Sequence, residues 1–221
     1  MSKDNRNFAV IFDMDGTIID NGFYHKQAWV EFCQKYHFSL SDEEFVKYIF
    51  GRTNKDILNF LHQRELPADE IHKYAEEKEA LYREIYKPHL KLADGLFDLL
   101  KALKANQVKT AVATSAPTKN IEFAFENLDI KHLFDVIVDE NYVTNHKPDP
   151  EIYLKAAEFL NVAPRDCVAV EDSLPGIRAA VNAGMTVVAI TTTHKEQDLT
   201  DARFIIRSFN DLNIEKLRGM I

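Results

Sequence analysis

Two carboxylates follow an apolar segment near the start of the chain, and their spacing is typical of metal or proton chemistry. The apolar run 8–12 leads directly into Asp13 and Asp15, and Gly16 and Thr17 come next. A buried strand that ends in paired acids places negative charge at the carboxyl edge of a sheet. Open α/β folds bind their ligands at that edge. The sequence therefore predicts a polar site directly after the first strand.

Two simpler explanations of the acid pair must be considered. An EF-hand calcium loop that began at Asp13 would need Gly at its sixth position and Glu at its twelfth. Those positions hold Ile18 and Tyr24, so the calcium loop is excluded. A turn with two chance acids stays open on these residues alone, because Asp and Gly favour turns.

Composition indicates an acidic globular protein. The 221 residues carry a net charge of −8, and 46% of them are apolar. Nucleic acids and anionic membranes would require clustered Lys and Arg, so we expect neither as a partner. Cys33 and Cys167 suggest no disulfide framework, and no secretion signal or membrane span is visible. We therefore expect a cytoplasmic protein, and we expect it to be a monomer.

Short β-branched segments alternate with helical patterns over most of the chain. This alternation predicts an α/β fold in which a Rossmann-like parallel sheet is covered by helices on both faces. The predicted strands are 8–12, 108–114, 134–138, 167–171 and 186–190, with a possible edge strand at 204–206. The predicted helices are 94–106, 117–128, 149–161, 173–183 and 208–219.

Residues 20–90 break the alternation and contain no clear strand. They predict four helices, at about 22–37, 41–49, 53–64 and 67–86. Ser41 and Thr53 are expected to be N-caps because an acid stands three residues after each of them. We therefore predict a catalytic core made of residues 1–18 and 91–221, with an inserted four-helix cap domain at 19–90.

Polar groups also follow three later strands. Thr114 and Ser115 end one strand, Lys147 lies in a loop just before a helix, and Glu171 and Asp172 end another strand. Each group has a simple alternative: helix N-caps for the hydroxyl residues and for Asp172, and an exposed surface position for the lysine. The sequence contains, in this order, an acid pair, a Ser/Thr pair, a lysine and a second acid pair. This combination indicates a function far more specifically than any one of the motifs does.

The four motifs together resemble those of the haloacid dehalogenase (HAD) superfamily. Within it, the chain is most similar to the β-phosphoglucomutase-like subgroup of small phosphatases and phosphomutases. The resemblance covers the full chain, including the helical insertion after the first motif. The matching residues are Asp13-Met-Asp-Gly-Thr, Thr114-Ser115, Lys147-Pro-Asp-Pro and Glu171-Asp-Ser-x-x-Gly-Ile.

The resemblance implies phosphoryl transfer from a small phosphorylated metabolite through an aspartyl phosphate. Asp13 would be the nucleophile and Asp15 the general acid and base, whereas true dehalogenases lack this second acid and need no metal. Lys147 would stabilise the transferring oxygens. The cofactor would be Mg²⁺, and its site would comprise Asp13, the backbone carbonyl of Asp15, Asp172 and the nearby Glu171. Thr114 would hydrogen-bond the phosphoryl group beside the amide of Ser115.

Four residues of the helical insertion are candidates for substrate binding. His25 and Lys78 each lie on an apolar helix stripe, where they can pack as ordinary interface residues or meet an anion. The resemblance places a substrate-contacting His and Lys at these positions. Gly51 allows a tight loop, in which Arg52 could grip a second phosphate. Asn54 stands where phosphoglucomutases of this type have an arginine, and whether Arg52 replaces that arginine is left open.

Three functions remain possible on the sequence. The leading interpretation is a Mg²⁺-dependent phosphatase of a small phosphate ester such as a sugar phosphate. The nearest alternative is a β-phosphoglucomutase-type phosphomutase, which His25 and Lys78 favour and Asn54 disfavours. A distant alternative is a receiver-like signalling module, which also places Asp, Ser/Thr and Lys around Mg²⁺ but has no helical lid.

Overall fold

A computed structural model describes residues 7–49 and 53–221 of the chain. These residues form two compact units. One unit contains the described residues up to Asp20 together with Leu90–Ile221, and the other is Asn21–His89. The boundaries therefore lie at 20/21 and 89/90, where the sequence predicted 18/19 and 90/91. That the second unit serves as a cap stays a prediction.

The first unit contains a parallel sheet, which confirms the predicted α/β class. Among the described residues the sheet has six strands in the order β3-β2-β1-β4-β5-β6, and every neighbouring pair is parallel. The strands are β1 (Ala9–Phe12), β2 (Lys109–Ala113), β3 (Val136–Val138), β4 (Cys167–Glu171), β5 (Thr186–Ile190) and β6 (Phe204–Ile206).

The register of the sheet sets the position of the site. Phe12, at the end of β1, pairs with Val112 of β2 on one side and with Val170 of β4 on the other. Parallel strands run in one direction, so the residues that follow these three strands emerge at the same edge. Strand β1 is fully buried between its two neighbours, as expected for a sheet covered on both faces.

Helices alternate with the strands of the first unit. Numbered after the four helices of the second unit, which precede them in the chain, they are α5 (Leu96–Ala105), α6 (Thr118–Leu128), α7 (Glu151–Leu160), α8 (Leu174–Asn182) and α9 (Ile214–Arg218). The predicted terminal helix 208–219 is wrong as one element. A 3-10 turn at Phe209–Asp211 ends before Asn213, whose side chain accepts from the Lys216 amide at 2.9 Å and caps α9 as a separate helix.

The second unit consists, in its described part, of α1 (Gly22–Lys35), α2 (Asp42–Tyr48), α3 (Asn54–His62) and α4 (Ala68–Tyr86). Both predicted N-caps are confirmed. The Ser41 hydroxyl accepts from the Glu44 amide, and the Thr53 hydroxyl accepts from the Asp56 amide. These bonds satisfy amides that would otherwise lack a partner at a helix start. Across the described residues, every helix is too short or too polar to span a membrane.

Candidate active site

Three buried carboxylates meet at the carboxyl edge of the sheet. Asp13 follows β1, Glu171 ends β4 and Asp172 comes next. Each offers one oxygen, and these oxygens lie within 4.8 Å of one another. The β1–β4 pairing explains the meeting, because the Asp13 amide donates to the Val170 carbonyl at 3.0 Å. The first strand and the fourth are thereby aligned with their acids side by side.

Lys147 is bound directly to this group of acids. Its Nζ lies 2.6 Å from Asp13 Oδ1 and 2.6 Å from Glu171 Oε1, and it donates to the Ala113 carbonyl at 3.1 Å. Its side chain is only 8% exposed. An ammonium group has three hydrogens, and these three acceptors match them. The alternative of an exposed surface lysine is therefore excluded.

Glu171 is held on both of its oxygens. Oε1 accepts from Lys147 and from the Tyr153 hydroxyl at 2.9 Å. Oε2 accepts from the amides of Asp172 and Ser173, and from the Ser173 hydroxyl. A Cβ on Gly176 of α8 would overlap this carboxylate. The glycine of the second acid motif is therefore required for space.

Asp172 is held by hydroxyl groups from two other loops. Thr17 donates to its Oδ1 at 3.4 Å, and Thr193 donates to its Oδ2. Thr192 donates to the carbonyl of Gly16, so the loop after β5 is bound to the loop after β1. Gly16 has a φ of +81°, and a Cβ there would overlap Asp172. Both features require glycine, which lacks a Cβ and adopts positive φ readily.

The charges of the group are unbalanced. Burial, together with the charges of Glu171 and Asp172, raises the pKa of Asp13 well above its usual value even though Lys147 opposes the shift. Burial and the Glu171 charge raise the pKa of Asp172 to about 7. Burial would lower the pKa of Lys147, but Asp13 and Glu171 raise it further than that. The three carboxylates outnumber the one ammonium group, and a divalent cation would balance the excess negative charge. Oxygen ligands suit Mg²⁺.

The remaining predicted core residues follow strands β1 and β2. Asp15 is half-buried in the loop after β1. Thr114 follows β2 and is buried; its hydroxyl accepts from the Ala116 amide at 3.0 Å. Since Phe12 pairs with Val112, Thr114 lies one residue beyond the level of Asp13 at the same edge. Ser115 is exposed.

The second unit contains a buried polar cluster of its own. Lys78 is 2% exposed, and its Nζ donates to Glu79 Oε1. The same Glu79 oxygen accepts from Asn54 Nδ2 at 2.9 Å, and Lys78 Nζ lies 5.0 Å from the centre of the Trp29 ring. Lys78 therefore does not extend outward to solvent. Within this unit, the anion that it meets is Glu79.

His25 belongs to the same cluster. Its Nδ1 lies 3.4 Å from Lys78 Nζ, and its ring stacks on Tyr82 with 3.8 Å between ring centres. Burial and the Lys78 charge lower the pKa of His25 to about 3, so its ring is neutral near pH 7. The other two predicted residues of this unit, Gly51 and Arg52, lie outside the described residues.

Several residues of these clusters were not predicted from the sequence. Thr193 follows a strand end, so the rule that found Thr114 would also have found it. Glu79 adjoins Lys78, but neighbouring helix positions do not normally face each other. Tyr153 occupies a buried face of α7, and its sequence pattern does not distinguish it from an ordinary core aromatic residue.

The fold and the acid–lysine arrangement define the class of protein. A parallel sheet carries a carboxylate after its first strand, a lysine bound to that carboxylate and a second acid pair at the end of β4. The family model for haloacid dehalogenase-like hydrolases matches residues 10–190. The chain therefore belongs to this family, as the sequence motifs predicted, and it is a HAD-like phosphohydrolase.

Relatives of this chain include both phosphatases and a mutase. It is 33% identical to the phosphorylated carbohydrates phosphatase of Thermotoga maritima, over 80% of this chain and 82% of that one. It is 32% identical to the β-phosphoglucomutase of Bacillus subtilis, over 95% and 93% of the two chains. Among solved structures, a family IA variant 3 HAD hydrolase from Entamoeba histolytica superposes with a TM-score of 0.90, at 33% identity over 96% of this chain and 98% of that one.

Proposed function

We propose that this protein is a Mg²⁺-dependent phosphatase that hydrolyses a small phosphate ester, such as a sugar phosphate, through an aspartyl phosphate. The observation that carries the proposal is the buried position of Asp13. There it pairs with Lys147, and one of its oxygens lies within 4.8 Å of an oxygen of Glu171 and of Asp172. A carboxylate nucleophile needs such compensation before it can approach a phosphate dianion.

The proposed reaction has two steps. A carboxylate oxygen of Asp13 attacks phosphorus, the bond from phosphorus to the ester oxygen breaks, and Asp15 gives its proton to the departing alkoxide. A water molecule then attacks the phosphorus of the aspartyl phosphate. Asp15 takes a proton from that water, and Asp13 leaves as a carboxylate while inorganic phosphate is released.

The acid group has the donor chemistry that Mg²⁺ prefers. Asp13, Asp172 and the backbone carbonyl of Asp15 would hold the ion, with Glu171 beside them. When bound, the ion offsets the negative charge of the acids and of the phosphoryl group. Lys147 and Thr114 would contact phosphoryl oxygens, and the Ser115 amide would donate beside them.

For the substrate, we propose that the helical unit acts as a cap and that His25, Gly51, Arg52 and Lys78 contact the part of the ester that does not react. The support is the buried Lys78–Glu79 pair. Because the Glu79 carboxylate offsets the Lys78 charge, the pair suits hydroxyl groups better than a second phosphate. This feature favours a monophosphate ester over the bisphosphate that a mutase of this type requires.

The experiment is a Mg²⁺-dependent screen of phosphate esters that measures released phosphate and includes β-glucose 1-phosphate with its 1,6-bisphosphate. We expect phosphate release from at least one sugar phosphate, and loss of that release in Asp13→Asn with the fold retained. Asp15→Ala should slow turnover and allow phosphoenzyme to accumulate. Isomerised sugar with little free phosphate would support the mutase instead. Normal turnover by Asp13→Asn would disprove the proposed nucleophile.

A further inference from the structure

Tyr153 contacts both members of the Lys147–Glu171 pair. It lies on α7, and its side chain is completely buried. Its hydroxyl lies 2.9 Å from Glu171 Oε1, and its ring centre lies 5.1 Å from Lys147 Nζ. An ionised carboxylate only accepts hydrogen bonds, so the hydroxyl donates to Glu171. The ring and the hydroxyl therefore support the same ion pair from one side chain.

The hydrogen bonds on Glu171 leave little capacity for another ligand. Each carboxylate oxygen offers about two lone pairs. Oε1 accepts from Lys147 and Tyr153, whereas Oε2 accepts from Asp172 and Ser173. A cation that binds Glu171 directly must displace one of these donors or share an oxygen with it. The Tyr153 bond adds to the free energy that this displacement costs.

The other two acids of the group are held differently. Asp13 accepts from Lys147 at 2.6 Å, and Asp172 accepts from Thr17 and Thr193. Of the three acids, Glu171 accepts the most hydrogen bonds, and it shares the Lys147 ammonium group with Asp13. Glu171 therefore has the least remaining capacity to accept a cation, and Asp13 and Asp172 have more.

We infer that Tyr153 is a positioning residue, which favours the binding of Glu171 to Lys147 over its binding to the metal ion. The inference rests on the proposed function, because that function supplies the ion. Tyr153 thereby keeps Lys147 fixed beside the nucleophile Asp13. The Lys147 ammonium group would then stay in position, and the affinity of the site for Mg²⁺ would be lower.

The test is Tyr153→Phe, which removes one oxygen and keeps the ring. The Mg²⁺ affinity is measured by calorimetric titration of the protein without substrate, and we expect it to rise by up to about tenfold. The reason is that the hydrogen bond from Tyr153 to the charged Glu171 no longer opposes the binding of Glu171 to the ion. We expect kcat to fall by about tenfold, as is typical when a supporting hydrogen bond at a metal site is lost. Damage to the fold would instead weaken Mg²⁺ binding and turnover together.

Two controls separate the possible causes. Tyr142→Phe removes a hydroxyl from an exposed tyrosine of the same unit, and we expect no change in either quantity. In a Glu171→Gln background, Tyr153→Phe should no longer tighten Mg²⁺ binding, because the competing carboxylate is gone. Tightening that persists in that background would overturn the inference.

The remaining outcomes also distinguish the two proposals. If the unchanged protein binds Mg²⁺ and Tyr153→Phe leaves the affinity the same or weaker, the inference fails and the proposed function stands. If the unchanged protein binds no Mg²⁺, both fail. In a crystal structure with Mg²⁺ we expect the Tyr153 and Lys147 bonds to Glu171 to be retained. A Tyr153 hydroxyl turned away from Glu171 there would overturn the inference independently of any variant.

Discussion

Replacing Lys78 with methionine tests how the helical unit tolerates its buried charges. The substitution keeps the length of the side chain but removes the ammonium group, and the Glu79 carboxylate is left buried without that cation. Removal of one partner of a buried ion pair costs about 3–5 kcal/mol of unfolding free energy. We expect a loss of this size because the two side chains are only 2% and 5% exposed.

The pKa of Glu79 is consistent with the same interaction. Burial would raise this pKa, but the Lys78 charge and the hydrogen bonds lower it from 4.5 to about 2. This lowering corresponds to about 3 kcal/mol of unfolding free energy. Because the folded-state pKa is depressed, this stabilisation is present above pH 4.5 and is lost as the pH falls toward 2. This loss of stability at low pH should be absent from the double variant Lys78→Met/Glu79→Leu.

Urea unfolding followed by fluorescence is the assay. The chain has one tryptophan, Trp29, and its ring lies 5.0 Å from Lys78 Nζ. The signal therefore reports on the helical unit. We expect the double variant to recover most of the stability that the single variant loses, since exchange of a buried pair for apolar residues is often neutral or stabilising.

A more exposed pair that joins α1 to α4 provides the control. Lys35 and Glu77 are 2.6 Å apart but much more exposed, so Lys35→Met should cost at most about 1 kcal/mol. Two results would refute the reasoning: a cost below about 1 kcal/mol for Lys78→Met, or a double variant no more stable than the single one. Either would mean that the pair is hydrated in solution.

Two further predictions concern specificity and the space around the acids. In Glu79→Gln, we expect kcat/KM for a sugar bisphosphate to rise by about tenfold or more relative to the monophosphate, because the charge opposing a second phosphate is removed. Glu77→Gln is the matched control. If Glu79→Gln left the ratio of the two kcat/KM values unchanged, that result would count against the proposed role of the Lys78–Glu79 pair. In Gly176→Ala, the added methyl group overlaps Glu171, so we expect turnover to fall by at least about tenfold and the melting temperature to fall as well. Gly22→Ala is the control, because its added methyl group meets no atom within 4 Å, and it should change neither turnover nor melting temperature. If the two alanine variants had equal effects, the overlap with Glu171 would be relieved without cost.

The positions of the core acids and of Lys147 could be anticipated because they depend on local rules. Short β-branched runs predict parallel strands, and parallel strands place the residues that follow them at one edge. Asp13 and Asp172 are thus located by strand ends, and Lys147 by its place in the loop that leads into α7. Such rules need no knowledge of side-chain packing, and the structure brings the three side chains together.

The partners of these residues depend on packing and were not predicted. Tyr153 looks like any apolar-face aromatic residue until α7 is placed against the sheet. Glu79 was missed because a long lysine side chain can turn back to its own neighbour, which helix periodicity does not indicate. The terminal helix was predicted as continuous because the cap at Asn213 is a single residue in an otherwise helical pattern.

The central position of β1 has a consequence for synthesis on the ribosome. This strand is made first, yet its two sheet neighbours lie about a hundred residues or more further along the chain. The bond between Thr17 and Asp172 joins positions 155 residues apart. At translation speeds of 5–20 residues per second, the emerging polypeptide waits on the order of 10–30 s before that bond can form. Until β4 has been made, the entirely apolar β1 lacks at least one of its two sheet partners, so its apolar surface must be shielded in another way.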